Sequence, residues 1–584
     1  MKQIIKNTIS ILNAAERKKA LILVGGNLVV SILDIGFLAC LLFIVQLYSG
    51  QAGVKEMSGI KASYVPAWLV SRTSLWPIGA FFVLFAAKNF LSFRIYKAQC
   101  HFRYAVAMRI SYQNLLGYFD GAYSDYVHTD SSAHFARVNL QPTEFCEHIV
   151  QGLQEMFMEC TLIVLAVVAI LFFNAKLFLL LLLLLFPPVT IAAWFTRKKI
   201  LAAKANIAGG RRKTMQRLEE SIAAFVEVNL YDKKYFFGAR YQRSQREQSR
   251  HLAALQIVQG VPSRLAEVFA VFGLLALIVL SMLAGHGRVT GFVTLGAFLA
   301  AAYKIIPGIA RILNLNGQMR AYAYTLDDLL PGRPVDAEAQ PKAAAEAEVP
   351  RAAPAANINS ITLRDIAFRY DQRYILRHFN LQIESGCFLG IEGDSGRGKT
   401  TLLHLLLGFL SPEQGQVLYN EEPIDAATCT KYRRNIAYVK QQPLILQDTL
   451  RTNVTLEEGA DNPRLGHVLK ISGLDALIEK LPGGLEARIA ENGRNISGGQ
   501  RQRIAIARAL YKPADVYILD EPFSELDETA EDGMLAHFRQ LSREGKIVIL
   551  ITHNKKSLAW CTWRISLQEE MPEKTIANGR TFFL

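Results

Sequence analysis

Apolar residues gather in six windows along the first part of the chain, at 21–48, 75–96, 153–173, 177–196, 265–284 and 291–313. Each approaches the roughly 20 residues that carry a helix across a bilayer. Only Asn174-Ala175-Lys176 separates the third window from the fourth, and a few residues around "GHGRVT" separate the fifth from the sixth. The links 97–152 and 197–264 are longer and keep helical periodicity, which predicts that the spans continue beyond the membrane as two long hairpins. A domain docked on those hairpins would feel the membrane part move. Across 331–356, "PGRPVDAEAQPKAAAEAEVPRAAPAA", the periodicity stops and Ala, Pro and Glu take over, the composition of a linker. Beyond it, short strand-like runs such as "ITLRDIAFRY" and "HFNLQIESGCFLGIEG" give way to strands alternating with helical segments, up to "VYILDEP" and "IVILITHN". That alternation predicts an α/β domain. The expected architecture is therefore multi-domain: an all-α six-helix transmembrane domain over 1–330, a linker over 331–356, and a cytosolic α/β domain over 357–584.

Composition agrees with membrane spans. At 584 residues and 51% apolar content, the chain is too long for one ordinary core and too greasy for a large soluble one. The formal net charge of +14 could mean nucleic acid or anionic lipid, but the basic residues mostly flank apolar windows. They include Arg17-Lys18-Lys19, "RKK" at 197–199, "RRK" at 211–213, and Arg240, Arg243, Arg246 and Arg250. By the positive-inside rule the N-terminus and both hairpins are cytoplasmic, and no nucleic-acid partner is expected. The seven cysteines form no C-x-x-C pair, so neither a disulfide framework nor a zinc site is indicated. After "MKQIIKNTISILNAAERKKA" the apolar run is too long for a signal-peptide core and lacks an A-x-A cleavage site; it is expected to remain as the first span.

The candidate chemistry lies in the second half. "GDSGRGKTT", 393–401, matches G-x-x-x-x-G-K-[ST] between a strand and an apolar helix, the context that motif requires. There, backbone N–H groups from Gly396 to Thr400 would cradle phosphates, Lys399 would reach the terminal ones, and the Thr400 hydroxyl would ligate Mg2+. "VYILDEP" is an apolar strand ending in two carboxylates, of which Asp520 could hold magnesium through water and Glu521 polarise an attacking water. "ENGRNISGGQRQRIAIARAL", 491–510, runs from a loop into a helix, with Ser497, Gly498 and Gly499 where the helix begins. A helix N-terminus attracts phosphate, yet the chain has one complete phosphate loop already, which raises the question of whose nucleotide this second site would hold.

In this order the motifs resemble the nucleotide-binding domain of ATP-binding cassette (ABC) proteins, and the resemblance covers the whole domain. Tyr370 stands where the family's adenine-stacking aromatic lies, and Gly393, Asp394, Ser395, Gly396, Arg397, Gly398, Lys399, Thr400 and Thr401 form the phosphate loop. Gln441 in "YVKQQP" corresponds to the glutamine that senses the terminal phosphate and magnesium. "ISGGQ", 496–500, is the family signature, which brings in Gln500; "SELD", 524–527, ending at Asp527, is the loop that crosses between subunits; His553 in "ITHN" is the switch histidine. Ile496 replaces the commoner leucine and Lys440 a usual proline, and neither removes a catalytic group. The resemblance implies catalytic roles for Glu521, His553 and Gln441, a metal set of Thr400, Gln441 and Asp520, and ATP with Mg2+ as cofactors. It also implies that the signature of one domain closes over ATP held by another, so that a chain with one of each works as a dimer, most simply a homodimer.

Six spans, two cytoplasmic hairpins and a C-terminal ATPase are similar to the exporter branch of that family, in which hairpin tips dock on the ATPase. The tips are expected near 124–134 and 226–236. Ionisable residues within the spans are Asp34, Lys88, Glu155, Glu159, Arg264, Glu267 and Lys304. Each is either part of an interhelical pair or a pointer to a path, because such groups are costly unless paired or wetted. Lys88 and Lys304, facing a cavity, would suit an anionic cargo. Pro187-Pro188 and Pro307 read as kinks. "SILDIGFLACLLFIVQL" and "YSDYVHTDSSAHFARVNLQPTEF" resemble the subgroup of lipid-linked oligosaccharide flippases and related glycan or peptide exporters. The expected function is ATP-driven export or flipping of an amphipathic substrate, a lipid-linked oligosaccharide or glycolipid, with peptide, lipid or multidrug export as the alternative. An ATP-gated regulatory subunit is disfavoured by intact Glu521, Gln441 and His553. Expected partners are a second copy of the chain, membrane lipids and the substrate, and the expected location is a bacterial inner membrane with the ATPase domain cytoplasmic.

Overall fold

A break close to the N-terminus is enforced by local side chains. Helix α1 (Lys2–Ile11) stops where Leu12 turns extended, at φ −77° and ψ 134°. Asn13 Oδ1 then accepts the Glu16 N–H at 2.8 Å while Glu16 Oε2 accepts the Asn13 N–H at 3.0 Å. This reciprocal capping satisfies donors that the next helix, α2 (Ala14–Ser49), would otherwise leave orphaned. The computed structural model describes residues 1–49, 75–121, 123, 127, 129–173, 209–211, 213–283, 292–329, 357–370, 373–394, 396–425, 428–459, 463–567, 574–577 and 580–583. The chain divides into two compact units, one of Met1–Gly121 with His128–Ala339, the other of Ala122–Val127 with Gln340–Leu584. The expected linker at 331–356 lies outside the described residues.

The first unit is helical. After α2 come α3 (Trp76–Phe119), then a run from Ser131 with π-helical turns at Ala136–Leu140 and Phe145–Val150 that leads into α4 (Gln151–Phe173), then α5 (Lys234–Leu283) and α6 (Phe292–Ala321). Three stretches among the described residues, Ala14–Phe37, Trp76–Phe119 and Ser131–Val168, are long and apolar enough to cross a membrane. The expected spans at 265–284 and 291–313 fall largely on α5 and α6, and the one at 177–196, with Pro187-Pro188, falls outside the described residues. α3 continues well past its apolar window, as the hairpin reading requires. Large apolar side chains face outward along it, among them Phe82 at 70% and Phe90 at 65% exposure, a surface that suits acyl chains better than water.

The unit's core joins Phe102 and Val106 of α3 to Phe145, Ile149 and Met319. α4 and α6 approach closely at Gly152, where a Cβ would stand 2.9 Å from Met319 Cγ. Several charges within the spans are paired among the described residues: Lys88 Nζ lies 2.5 Å from Asp34 Oδ1, and Arg311 bridges Glu159 at 3.2 Å and Glu155 at 3.5 Å. Lys88 thus has a carboxylate partner of its own, while Arg264 and Glu267 form an exposed pair at 3.3 Å. The side chain of Lys304 lies outside the described set. Pro307 sits inside α6, and the helix continues past it. At the second expected tip a short helix, Phe225–Leu230, leaves Phe225, Val226 and Leu230 exposed.

The second unit is α/β. β1 (Ser360–Tyr370) pairs antiparallel with β2 (Arg373–Glu384) and β4 (Gln414–Tyr419), and β5 (Glu422–Pro423) completes this sheet in the order β2-β1-β4-β5. A parallel sheet holds β3 (Phe388–Glu392), β6 (Ile436–Val439), β7 (Val516–Asp520), β8 (Ile547–Ile551) and β9 (Trp563–Ser566) in the order β6-β7-β8-β3-β9. β8 is buried throughout, as a central parallel strand covered on both faces must be. This order sets the C-terminal ends of β3, β7 and β8 side by side, where open parallel sheets bind ligands. Also in this unit, the Tyr123 ring lies 4.8 Å from that of His404 and 5.2 Å from that of Phe409.

Candidate functional site

From the end of β3 the chain turns through Gly393 and Asp394 into helix α7 (Lys399–Leu406). The turn needs glycine at Gly398, whose φ is +91° and where a Cβ would stand 2.5 Å from Ile375 Cγ2. At Gly396, φ +81°, a Cβ would meet nothing within 4 Å, so the loop faces open space there. The first N–H groups of α7 have no partner within the helix, and a helix start after such a glycine turn is an arrangement that binds phosphate. Lys399 Nζ donates to the Gly393 carbonyl at 2.6 Å, which folds the lysine back over the loop, and stands 3.8 Å from Glu521 Oε1. Thr400 is exposed and Thr401 buried. Ser395 lies outside the described residues.

Two carboxylates close β7. Tyr438 of the neighbouring β6 donates its hydroxyl to Asp520 Oδ2 at 3.2 Å. Burial pushes the Asp520 carboxyl above its ordinary range and the Glu521 charge adds to this, while the Tyr438 hydroxyl and Lys399 pull it back. Glu521 takes a left-handed backbone, φ +45°, uncommon for a residue with a Cβ, and its N–H donates to the Ile551 carbonyl of β8 at 3.0 Å. That turn aims the carboxylate back at the loop. Gln441 Nε2 donates to Glu521 Oε2 at 2.7 Å, and His553 Nδ1 lies 3.5 Å from Glu521 Oε1. The Glu521 side chain is 17% exposed and that of His553 73%, so the histidine stands at the solvent edge of the cluster. Strand order thus gathers Lys399, Gln441, Asp520, Glu521 and His553 from four separate motifs.

Other expected residues sit apart from that cluster. Tyr370, at the end of β1, is half exposed, and its ring packs edge-on against Phe368 at 5.1 Å. Ser497 caps helix α8 (Gly498–Tyr511): its Oγ accepts the Gln500 N–H at 3.2 Å, and Gln500 Oε1 accepts the Ser497 N–H at 2.8 Å. A Cβ on Gly499 would stand 2.6 Å from the Glu525 carbonyl oxygen, so both glycine and the 524–527 loop need the absence of a side chain there. Asp527 caps helix α9 (Glu528–Arg543) through the Ala530 N–H at 2.9 Å, and that bond leads the causes that hold its carboxyl below the usual range. The motifs alone do not point to Tyr438 and Gln502, which reach the site through hydrogen bonds, or to Ile375, which packs beneath Gly398. Gln502 had a faint signal, being a glutamine two residues beyond Gln500 on an otherwise apolar or basic face.

The chain is also similar to known proteins. Residues 376–524 match the family model described as ABC transporter. The chain is 28% identical over 347 residues to an ATP-dependent lipid A-core flippase of Cupriavidus metallidurans, covering 58% of this chain and 57% of that one. It is 30% identical to a protein of the same name from Alkalilimnicola ehrlichii, with the same coverage of 58% and 57%. The structure of a bacterial Atm1-family ABC exporter with ATP bound is similar over 95% of both chains, with a TM-score of 0.72 at 20% identity, a likeness of fold. The matched region spans 35% to 60% of the length of these curated relatives.

Proposed function

Since this chain carries an ABC transporter domain, we propose that it is an ATP-driven exporter or flippase that works as a homodimer with two composite ATP sites. The observation that carries the reading is the convergence of Lys399, Gln441 and His553 on Glu521, beside a phosphate-type loop that opens into free space. The proposed division is a membrane domain over 1–330, a linker over 331–356 and the ATPase over 357–584.

In each site the backbone N–H groups of Gly396 to Thr400, with Asp394, Ser395 and Thr401 shaping the loop, hold the phosphates, and Lys399 leaves the Gly393 carbonyl to reach the terminal one. Tyr370 stacks on the base. Ser497, Gly498, Gly499 and Gln500 of one chain, with Asp527 at the crossing loop, complete the site on the other. The oxygen donors of Thr400, Gln441 and Asp520 suit a hard cation, and bound Mg2+ would neutralise charge on the β- and γ-phosphates. Glu521 orients a water and accepts its proton as the water oxygen attacks the γ-phosphorus and the bond to the β-phosphate breaks. His553 and Gln441 hold the Glu521 carboxylate toward that water. Two bound nucleotides draw the ATPase domains together and hydrolysis lets them part.

The cargo we infer is amphipathic, a lipid-linked oligosaccharide or glycolipid moved outward across a bacterial inner membrane. The names of relatives at 28% and 30% identity support a lipid-bearing glycan, and the exposed apolar helix faces support a membrane setting. Glu521→Gln tests the catalytic assignment: ATP should still bind, while turnover falls by about a thousandfold, the scale of losing a positioned base. A variant that hydrolyses ATP at the wild-type rate removes Glu521 from this role.

A further inference from the structure

Three consecutive residues of α8 hold the loop that follows Glu521. Arg501 Nη2 lies 3.9 Å from the Glu525 carboxylate, and Arg503 Nη2 lies 3.2 Å from Asp527 Oδ2. Between them Gln502 is 3% exposed; its Nε2 donates to Ser524 Oγ at 2.7 Å and its Oε1 accepts the Glu525 N–H at 3.0 Å. The two arginine pairs are open to water, where ion pairs contribute little. The amide bonds are shielded, and leaving either partner unmatched costs its desolvation. Only a side chain with both a donor and an acceptor at this length satisfies Ser524 and Glu525 together. A Cβ on Gly498 would collide with the Glu525 carboxylate and one on Gly499 would stand 2.6 Å from the Glu525 carbonyl oxygen, so the loop packs closely on both glycines as well as on Gln502.

We propose that Gln502 is a positioning residue that makes the Ser497–Gly499 turn and the 524–527 loop one rigid body. In the composite-site reading, on which this inference rests, the glycine turn serves the nucleotide on the partner while the loop continues from the chain's own Glu521. A nucleotide seated against one chain's turn therefore acts, through Gln502, on that chain's own hydrolytic cluster, and the two sites close in concert.

The test uses full-length protein in nanodiscs and reads two quantities, ATP retained after rapid desalting in a Glu521→Gln background and equilibrium affinity for a fluorescent ATP analogue. Gln502→Met matches the length and offers neither bond; retained ATP should drop about tenfold or more, the scale of shielded hydrogen bonds lost with their partners left bare. Equilibrium affinity, set by the phosphate loop, should stay within about twofold. Ser524→Ala removes one bond at the loop end and should give an intermediate loss, which keeps the test open if Gln502→Met fails to fold. Retention equal to the parent in both variants overturns the inference, and so does an equal loss of retention and equilibrium affinity, which marks a merely structural role. A Glu521→Gln parent that retains no ATP overturns the composite-site reading itself.

Discussion

Asp520 and Glu521 are neighbours in sequence but occupy different surroundings. Asp520 ends β7, half-buried and hydrogen-bonded to Tyr438, whereas Glu521 is turned by its positive φ toward Lys399 and Gln441. Burial raises the Asp520 carboxyl, and the Tyr438 hydroxyl is the main influence that lowers it. A metal-holding Asp520 must be ionised, so activity is lost as pH falls through its pKa. Removing the hydroxyl in Tyr438→Phe raises that pKa further, and the acid limb of the ATPase pH profile should move to higher pH, with little change at the alkaline plateau. Profiles of the two proteins at low Mg2+ check this, and a limb that stays in place would remove Tyr438 from control of Asp520. Chain-adjacent residue types were legible in the motifs. The Tyr438 contact was not, because it depends on β6 lying beside β7, a pairing that local pattern does not encode.

At the scale of elements, the long apolar helices and the α/β alternation followed from period and length. α3 beginning at its apolar window and running on to Phe119 is the clearest instance. The partners of intramembrane charges did not follow, since Asp34 and Lys88 come from different helices and meet only when α2 packs on α3. Of the two readings of Lys88, interhelical pair or pointer to a path, the structure shows the pair, for an unpaired ammonium at that depth would be costly. Breaking such a pair on one side leaves a stranded charge, whereas removing both sides need not. Lys88→Met alone should therefore destabilise the protein by about 2 kcal/mol or more, and the double variant Asp34→Leu with Lys88→Met should recover most of that loss. Thermal unfolding in detergent distinguishes them: a double variant no better than the single would show that the pair is not what holds these helices.

The whole molecule carries one phosphate loop and one Ser497–Gly499 turn, placed in different clusters of the same unit. The sequence made both visible through contiguous strings, and family resemblance supplied the idea that they serve different nucleotides. The coupling through Gln502 needed the folded chain, because residues 502 and 524 come together only when α8 packs on the loop that follows β7. The central claim, that each working site is shared between two chains, is tested most directly by ATP hydrolysis of mixed dimers. One chain carries Lys399→Ala, which disables its phosphate loop, and the other carries Ser497→Arg, which blocks its turn. Either homodimer should be inactive, whereas the mixed dimer keeps one intact pairing of loop and turn and should recover activity up to about half of wild type, as symmetry dictates. Mixed dimers as inactive as both parents, or a Ser497→Arg homodimer with full activity, would contradict the account.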